Sequence, residues 1–215
     1  MKARDIKAIY EAILPTLPGF EAKGPLLFVS PIDHILKAFC IEGSDFDSFS
    51  FYIWVFVLPL YVPTKYLYFS FGNRLTDQQS DRWSFTEENK EELVGDLLKA
   101  MRQQGLSFLF KIDTPLDLAS KASLFSVAPN DPYLGEAVAY SLVLADKTSE
   151  AMEALKFLNA LLAGIDQQKT WIEDIRRRAL SVRKHLSESP AEAKKLLMKW
   201  EQQTLLNLKL ESFAR

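Results

Sequence analysis

One stretch of aromatic and β-branched residues, 49–71, most strongly constrains how this chain can fold. It holds ten of the chain's 26 aromatic residues. Along its first part, the residues at odd and at even positions are both mainly apolar, and successive side chains of a β-strand point to opposite faces. A strand that is apolar on both sides belongs inside a sheet, with both faces covered. The stretch therefore predicts a central strand over 49–59 at the core of the protein.

Three further segments predict strands around this one. They are rich in β-branched and aromatic residues and are set off by turn-forming residues, and they span 26–30, 34–42 and 65–72. Successive strands without helices between them pair most simply as an antiparallel meander. Apolar residues at helical spacing predict a helix over 3–14 before the first strand.

After the predicted sheet, every strong pattern is helical. Thr86 can cap a first helix, which should end at Gly105 in a left-handed residue. Further helices are predicted over 115–124, 132–145, 149–163, 167–187 and 190–212. Three of these starts place Thr114, Asp131 or Ser189 before a proline, a combination typical of helix N-termini. Glu192 should complete a capping box with Ser189.

The element order predicts an α+β fold. An N-terminal helix and a four-stranded antiparallel meander occupy 1–85, and a helical C-terminal half over 86–215 packs on them as one compact unit. The apolar stretch 49–62 contains Pro59 and is shorter than the roughly 20 residues of a membrane-spanning helix. A buried strand is therefore the better interpretation, and we expect no membrane association.

Composition argues against several kinds of site. The net charge of −2 gives no general attraction to nucleic acid, and the eight glycines are not grouped as in a phosphate-binding loop. The single cysteine can form no intrachain disulfide, which agrees with a cytoplasmic location. We expect no cofactor.

Metal and nucleophile chemistry have few residues to draw on. His34, His185 and Cys40 are the only His and Cys side chains, and His34 and Cys40 would lie ~20 Å apart along a strand. Cys40 stands between Phe39 and Ile41, which favours a small buried apolar role. An enzyme would need residues that are distant in sequence, and the candidates at strand ends are Asp33, His34, Asp45 and Arg74.

Two surfaces are candidates for binding. The polar aromatics Tyr52, Trp54, Tyr66 and Tyr68 lie on predicted adjacent strands and could line one sheet face, because such rings join apolar area to a polar tip. The alternative, which we favour, is that the C-terminal helices cover that face.

The second surface is basic and could contact nucleic acid. It follows the predicted helix 167–187 and contains Arg176, Arg177, Arg178, Arg183 and Lys184, which flank an apolar stripe and should face water. Glu173 and Asp174 lie one turn away, so a solvated helix face is the favoured interpretation.

Two segments carry a resemblance to a known family. The opening, with LPGFEAKGPLLFVS, and the later GLSFLFKIDTPLDLAS followed by a helix pair resemble a bacterial α+β family of unknown function. The family has an initial helix, a GF…G turn, an antiparallel sheet and a helical end, and the resemblance covers most of 1–165. It implies no activity. Because some bacterial proteins of this build are immunity proteins, it implies a protein partner by analogy.

These observations favour a non-enzymatic, cytoplasmic protein-binding or immunity-type module. An enzyme with its site at strand ends, and a nucleic-acid contact through 176–184, are the alternatives. Oligomeric state is left open by the sequence. The segment 136–162 also resembles one tetratricopeptide-type helix pair, which we interpret as an ordinary helical hairpin because no second copy follows.

Overall fold

The alternating aromatic stretch forms the central strand that its pattern predicts. In the computed structural model, which describes residues 1–77, 80–165 and 169–215, six strands make one sheet: β1 (Phe20–Lys23), β2 (Leu26–Val29), β3 (Ile35–Gly43), β4 (Ser50–Pro59), β5 (Gly72–Arg74) and β6 (Arg82–Ser84). Their order is β1-β2-β3-β4-β5, and β6 pairs with the first half of β4 while β5 pairs with its second half. The predicted α+β class with an antiparallel sheet is confirmed.

The fourth predicted strand, 65–72, is wrong. The strand that pairs with β4 is only Gly72–Arg74, and 65–71 form no strand, although the Phe71 carbonyl accepts a 3.0 Å hydrogen bond from Val57. Pro59 and Pro63, just before this segment, lack the backbone N–H that a ladder needs, so β4 does not continue into 60–64. The residues Pro59–Leu67 belong instead with the C-terminal helices, where Tyr61 shares a 2.5 Å hydrogen bond with Ser141. The sequence reading also missed β1, which pairs with β2 across a two-residue turn at Gly24.

Most helices begin close to where the sequence predicts, but α2 begins at Lys90 with Asn89 before it, so the predicted cap at Thr86 is wrong. The helices are α1 (Ala3–Ile13), α2 (Lys90–Ala100), α3 (Ser107–Leu109), α4 (Pro115–Ser120), α5 (Pro132–Leu144), α6 (Thr148–Ala163), α7 (Thr170–Glu188) and α8 (Pro190–Leu208). Thr114 and Asp131 cap their helices as predicted. Ser189 makes no side-chain cap and Glu192 pairs with Lys195, so that predicted capping box is wrong. The predicted start of α7, at 167, lies outside the described residues.

The chain divides into two compact units. The first contains the sheet, α1, α2 and α3, and consists of Met1–Leu58, Tyr68–Lys111 and Phe213–Arg215. The second contains α4 to α8 and consists of Pro59–Leu67 and Ile112–Ser212. The observed division therefore differs from the predicted one at 85/86, since α2 belongs with the sheet. That the whole chain packs as one unit stays a prediction.

In the first unit, a π-helical turn keeps one helix face against the sheet. The buried side of α2, the turn Met101–Leu106 and α3 is spaced by four residues throughout: Leu93, Leu97, Met101, Gly105 and Leu109. Such a stripe drifts by about 40° per step around an α-helix. A π turn has a wider hydrogen-bonded loop and offsets the drift.

Gly105 lies inside this turn and does not end the helix, which corrects the predicted left-handed terminus. Its φ is not positive, and the chain stays helical to Leu109. Glycine is needed for a different reason: a Cβ at this position would overlap the buried ring of Phe39 in β3. The absent side chain thus sets how closely this helix approaches the sheet.

In the second unit, a buried ion pair joins α5 to α7. Glu136 is fully buried and accepts two hydrogen bonds of 2.7 Å from Arg178 and one of 2.9 Å from Tyr140. Burial raises the pKa of Glu136, while the bonds from Arg178 and Tyr140 act in the opposite direction. Next to the pair, the rings of Tyr133 and Trp171 stack with centroids 5.3 Å apart.

Among the described residues, no helix is long and apolar enough to cross a membrane.

The close approach at Gly105 predicts a contrast between two glycines of one helical segment. Gly105→Ala should destabilise the protein by about 1–3 kcal/mol, because overpacking against Phe39 outweighs the gain in helix propensity. Gly95→Ala should stabilise it by up to about 1 kcal/mol, because nothing lies within 4 Å of its added Cβ. Urea unfolding of both variants measures the difference. Equal effects would contradict the packing described for Gly105.

The ion pair predicts a second, pH-dependent effect. Arg178→Ala should cost about 3–5 kcal/mol at neutral pH because it leaves the buried Glu136 carboxylate uncompensated. Without Arg178, the pKa of the buried Glu136 carboxyl is raised, and a carboxyl with a raised pKa loses stability as pH rises. The stability difference between Arg178→Ala and the wild type should therefore grow above about pH 4.3, the ordinary Glu value. The double replacement of Glu136 and Arg178 by leucine is the control and should be close to the wild type. A pH-independent deficit would contradict this account.

Candidate functional site

A cationic side chain lies over two aromatic rings on the face of β4 in the first unit. The guanidinium carbon of Arg74, on β5, lies 3.9 Å from the ring centroid of Tyr52 and 4.8 Å from that of Trp54. The strand register explains the meeting, because Trp54 stands directly opposite Arg74. Tyr52 lies two residues before Trp54 and so on the same face of the strand. A cation over aromatic rings at these distances is attracted by their electron-rich faces.

Further contacts fix the orientation of Trp54. Its ring stacks on Phe69 with centroids 5.0 Å apart and an interplanar angle of 10°, and Phe69 in turn meets Phe56 edge-on. The indole Nε1 donates a 2.8 Å hydrogen bond to Glu42 Oε2. The ring is therefore held on one face by Phe69 and at its polar edge by β3.

Two carboxylates contact the same guanidinium group of Arg74. Its Nη1 donates a 3.0 Å hydrogen bond to Asp81, and its Nη2 lies 3.7 Å from Glu42. Its Nε is buried, and no described residue accepts a hydrogen bond from it. About a third of the Arg74 side chain, 35%, remains exposed. We call Arg74, Tyr52, Trp54, Phe69, Glu42 and Asp81 the Arg74 cluster.

An ordered loop with two exposed phenylalanines precedes β4. Asp47 Oδ1 accepts hydrogen bonds from the backbone N–H groups of Ser50, at 2.5 Å, and Phe49, at 2.9 Å, and Asp47 also pairs with Arg82 on β6. Phe46 is 85% exposed and Phe49 is 62% exposed. Hydrogen bonds therefore hold the backbone of this loop, while two phenylalanine rings lie in solvent, which is unusual for rings of this size.

The four polar aromatics predicted as one surface do not come together as expected. Tyr52 and Trp54 share a face and are partly exposed, and they form part of the Arg74 cluster. Tyr66 and Tyr68 are not on a neighbouring strand, because 65–71 form no strand. Tyr66 is exposed and lies in the second unit, whereas Tyr68 lies in the first and meets Phe71 edge-on.

The basic residues of α7 are largely paired within the protein. Arg176 and Arg177 pair with Glu173 and Asp174, one turn earlier. Arg178 is the clearest departure from prediction: it does not face water but binds the buried Glu136 of α5. Two of the five remain exposed without an ion pair among the described residues, Arg183 and Lys184.

The residues weighed for catalysis lie apart from the cavities described for the first unit. A groove of about 670 Å³ contains Asp77, Asp96 and Lys99 but none of the four candidates at strand ends. Asp33 pairs with Arg215 and lies 3.8 Å from His34. Cys40 is buried as predicted, and burial raises the pKa of its thiol to about 12, far from a reactive thiolate. Within the described residues, no group of three or more His, Cys, Asp or Glu side chains could hold a metal ion.

Sequence reasoning missed half of the Arg74 cluster. It identified Tyr52 and Trp54, and it weighed Arg74 only as a catalytic residue. Glu42, Asp81 and Phe69 were not considered. The available signal was a single arginine placed directly after the aromatic stretch, where its long side chain can lie across neighbouring rings.

The loop predicts a carboxyl that titrates at unusually low pH. Hydrogen bonds from Ser50 first, then from Phe49 and Arg82, lower the pKa of Asp47 to about 2, against about 3.9 in an unfolded chain. The stabilisation is therefore present above about pH 4 and is lost as pH falls towards 2. Carbon NMR of the Asp47 carboxyl should give a midpoint near 2, and Asp47→Asn should flatten the acid end of the stability curve. A midpoint near 4 for Asp47 would contradict the described loop.

The Arg74 cluster and the loop before β4 offer recognition chemistry: a held guanidinium, oriented carboxylates, and aromatic rings that are partly open to solvent. Tyr, Trp and Arg are the residue types that dominate binding energy at protein interfaces. No protein-family model, curated protein or solved structure matches this chain.

Proposed function

We propose that this protein is a cytoplasmic, non-enzymatic protein-binding module, and that the Arg74 cluster contacts the partner. The observation that carries the proposal is the placement of Arg74 over Tyr52 and Trp54, the two partly exposed side chains of β4. Arginine, tyrosine and tryptophan are enriched among the few interface residues that carry most of the binding energy. The single cysteine, which is buried and can form no intrachain disulfide, agrees with the cytoplasmic location.

The energetics of the cluster support a role other than stability. A cation–π contact contributes about 0.5–2 kcal/mol. A buried N–H without an acceptor, such as the Nε of Arg74, costs about 1–3 kcal/mol. These two contributions largely cancel, and the ion pairs of Arg74 are partly exposed and so add little. A side chain that gives little net stability yet is held in one orientation is well suited to binding.

Preorganisation is the second support. The Trp54 ring is stacked and hydrogen-bonded, and Arg74 is held by two carboxylates. Side chains that are already ordered lose less conformational entropy on association, which improves affinity. Phe46 and Phe49 add apolar area on a loop that Asp47 fixes. The partner we expect therefore presents an acidic or hydrogen-bond-accepting group for Arg74 beside an apolar patch.

An immunity-type role is the specific form of this proposal that the family resemblance suggests. In that form the partner is a toxin, and binding blocks the toxin's action. The nucleic-acid alternative now depends on Arg183 and Lys184, because the other three arginines pair within α5 and α7. The enzyme alternative has no supporting constellation among the described residues.

Differential affinity capture tests the proposal. The wild-type protein, Arg74→Met and Phe157→Ala are immobilised and exposed to lysate of the source cell, and retained proteins are quantified. Methionine keeps the length of the side chain but removes the guanidinium, whereas Phe157 is an exposed ring on α6 in the second unit. We expect one protein retained by wild type and Phe157→Ala and weakened by about 30-fold or more with Arg74→Met, the loss typical of a hot-spot residue.

Two results would contradict the proposal. One is that no protein distinguishes the three baits. The other is a partner whose affinity Arg74→Met leaves unchanged, which would place the interface elsewhere. The fold of Arg74→Met is checked by its thermal unfolding, which should stay close to that of the wild type because the cluster contributes little net stability.

A further inference from the structure

The sheet of the first unit ends in β1, and one edge of this strand has no strand partner among the described residues. The register shows which backbone groups face that edge. Gly19 accepts a 2.9 Å hydrogen bond from Ser30, and Glu21 stands opposite Phe28, so alternate residues of β1 bond to β2. Phe20 and Ala22 therefore direct their backbone groups outward. The N–H of Phe20 is bonded to Leu17, which leaves its carbonyl and both groups of Ala22 on the open edge.

A groove lies beside this edge. Its volume is about 430 Å³, and it lies between the hairpin residues Ala22 and Gly24 and the side chains of Ala3, Lys7, Tyr10, Glu11 and Leu14. Tyr10 fixes the opposite wall, because its hydroxyl donates a 2.7 Å hydrogen bond to the carbonyl of Pro25 in the turn of the hairpin. Ala22 and Gly24 are exposed. The open backbone groups of β1 thus border a groove with a fixed wall.

We propose that this groove binds an extended peptide segment of another protein, which adds to β1 as a further strand. The occupant follows from the chemistry of the edge. Unpaired N–H and C=O groups at strand spacing are satisfied best by the backbone of another strand, which is a common mode of peptide recognition. The four residues of β1 span about 13 Å, enough for about three or four residues of peptide. The proposal concerns a site distinct from the Arg74 cluster and holds whether or not that cluster binds a protein.

The wall formed by α1 sets the side-chain preference of the peptide. Leu14 and Ala3 offer apolar contact, and an exposed ion pair between Lys7 and Glu11, 3.7 Å apart, lies beside them. Alternate side chains of a strand face the same way, so one peptide side chain should face α1 and its neighbours should face solvent. The expected ligand has an apolar residue at that position and polar residues on each side.

Selection from a displayed library of short random peptides, followed by affinity measurement on synthesised peptides, tests this inference. We expect enriched sequences with an apolar residue between polar ones. Ala22→Pro should weaken their binding by about tenfold or more, because it removes an outward N–H. That N–H takes no part in the ladder with β2, and proline is tolerated at such edge positions. Ala22→Ser keeps the N–H and a small side chain and should bind like the wild type.

Modified peptides provide a second measurement that does not depend on how Ala22→Pro folds. N-methylation of successive peptide residues should weaken binding only at alternate positions, because every second N–H of an added strand faces β1. Absence of any enriched peptide would overturn the proposal. So would peptides that bind equally well to Ala22→Pro and show no alternation on N-methylation.

Discussion

The burial of β4 on both of its faces is the constraint on which the first unit depends. Every residue of β4 is buried except Tyr52 and Trp54, which are partly exposed on one face. The buried side chains on both faces supply the apolar area that stabilises the fold. Arg74 lies over both exceptions, and Phe69 stacks on Trp54. This one part of the strand therefore carries side chains whose arrangement favours binding more than stability.

In the helical segment that follows the sheet, packing against the sheet explains the backbone geometry. A stripe spaced by four residues cannot stay on one side of an ideal α-helix, and the π turn at Met101–Leu106 corrects the drift. Gly105 then allows the helix backbone to approach Phe39. The same lack of a side chain that suggests a helix terminus in the sequence is, in the structure, a packing requirement inside the helix.

Features with a local cause were predictable from the sequence. The alternation in 49–59 predicts β4, and the caps at Thr114 and Asp131 predict α4 and α5, because neighbouring residues alone determine them. The short β1 could have been found from Gly24, because glycine is typical of two-residue hairpin turns. In the structure Gly24 has the positive φ, 56°, that such a turn uses.

Features with a distant cause were not predictable. The segment 65–72 has the composition of a strand, yet the chain just before it joins the C-terminal helices through Tyr61 and Ser141, 80 residues apart. Arg178 looks like a solvated residue until Glu136, 42 residues earlier, is brought beside it. The Arg74 cluster likewise needs β3, β4 and β5 in register. Pairings of this kind are set by the tertiary fold, which a single sequence does not display.

NMR of the Arg74 side chain tests the central claim, that its guanidinium is held over Tyr52 and Trp54 before any partner binds. The account predicts slow rotation about the Nε–Cζ bond, an Nε proton that exchanges slowly with water, and side-chain shifts displaced by the two rings that return to ordinary values in Trp54→Leu. A guanidinium that rotates freely, exchanges rapidly and shows no ring-induced shifts would contradict it.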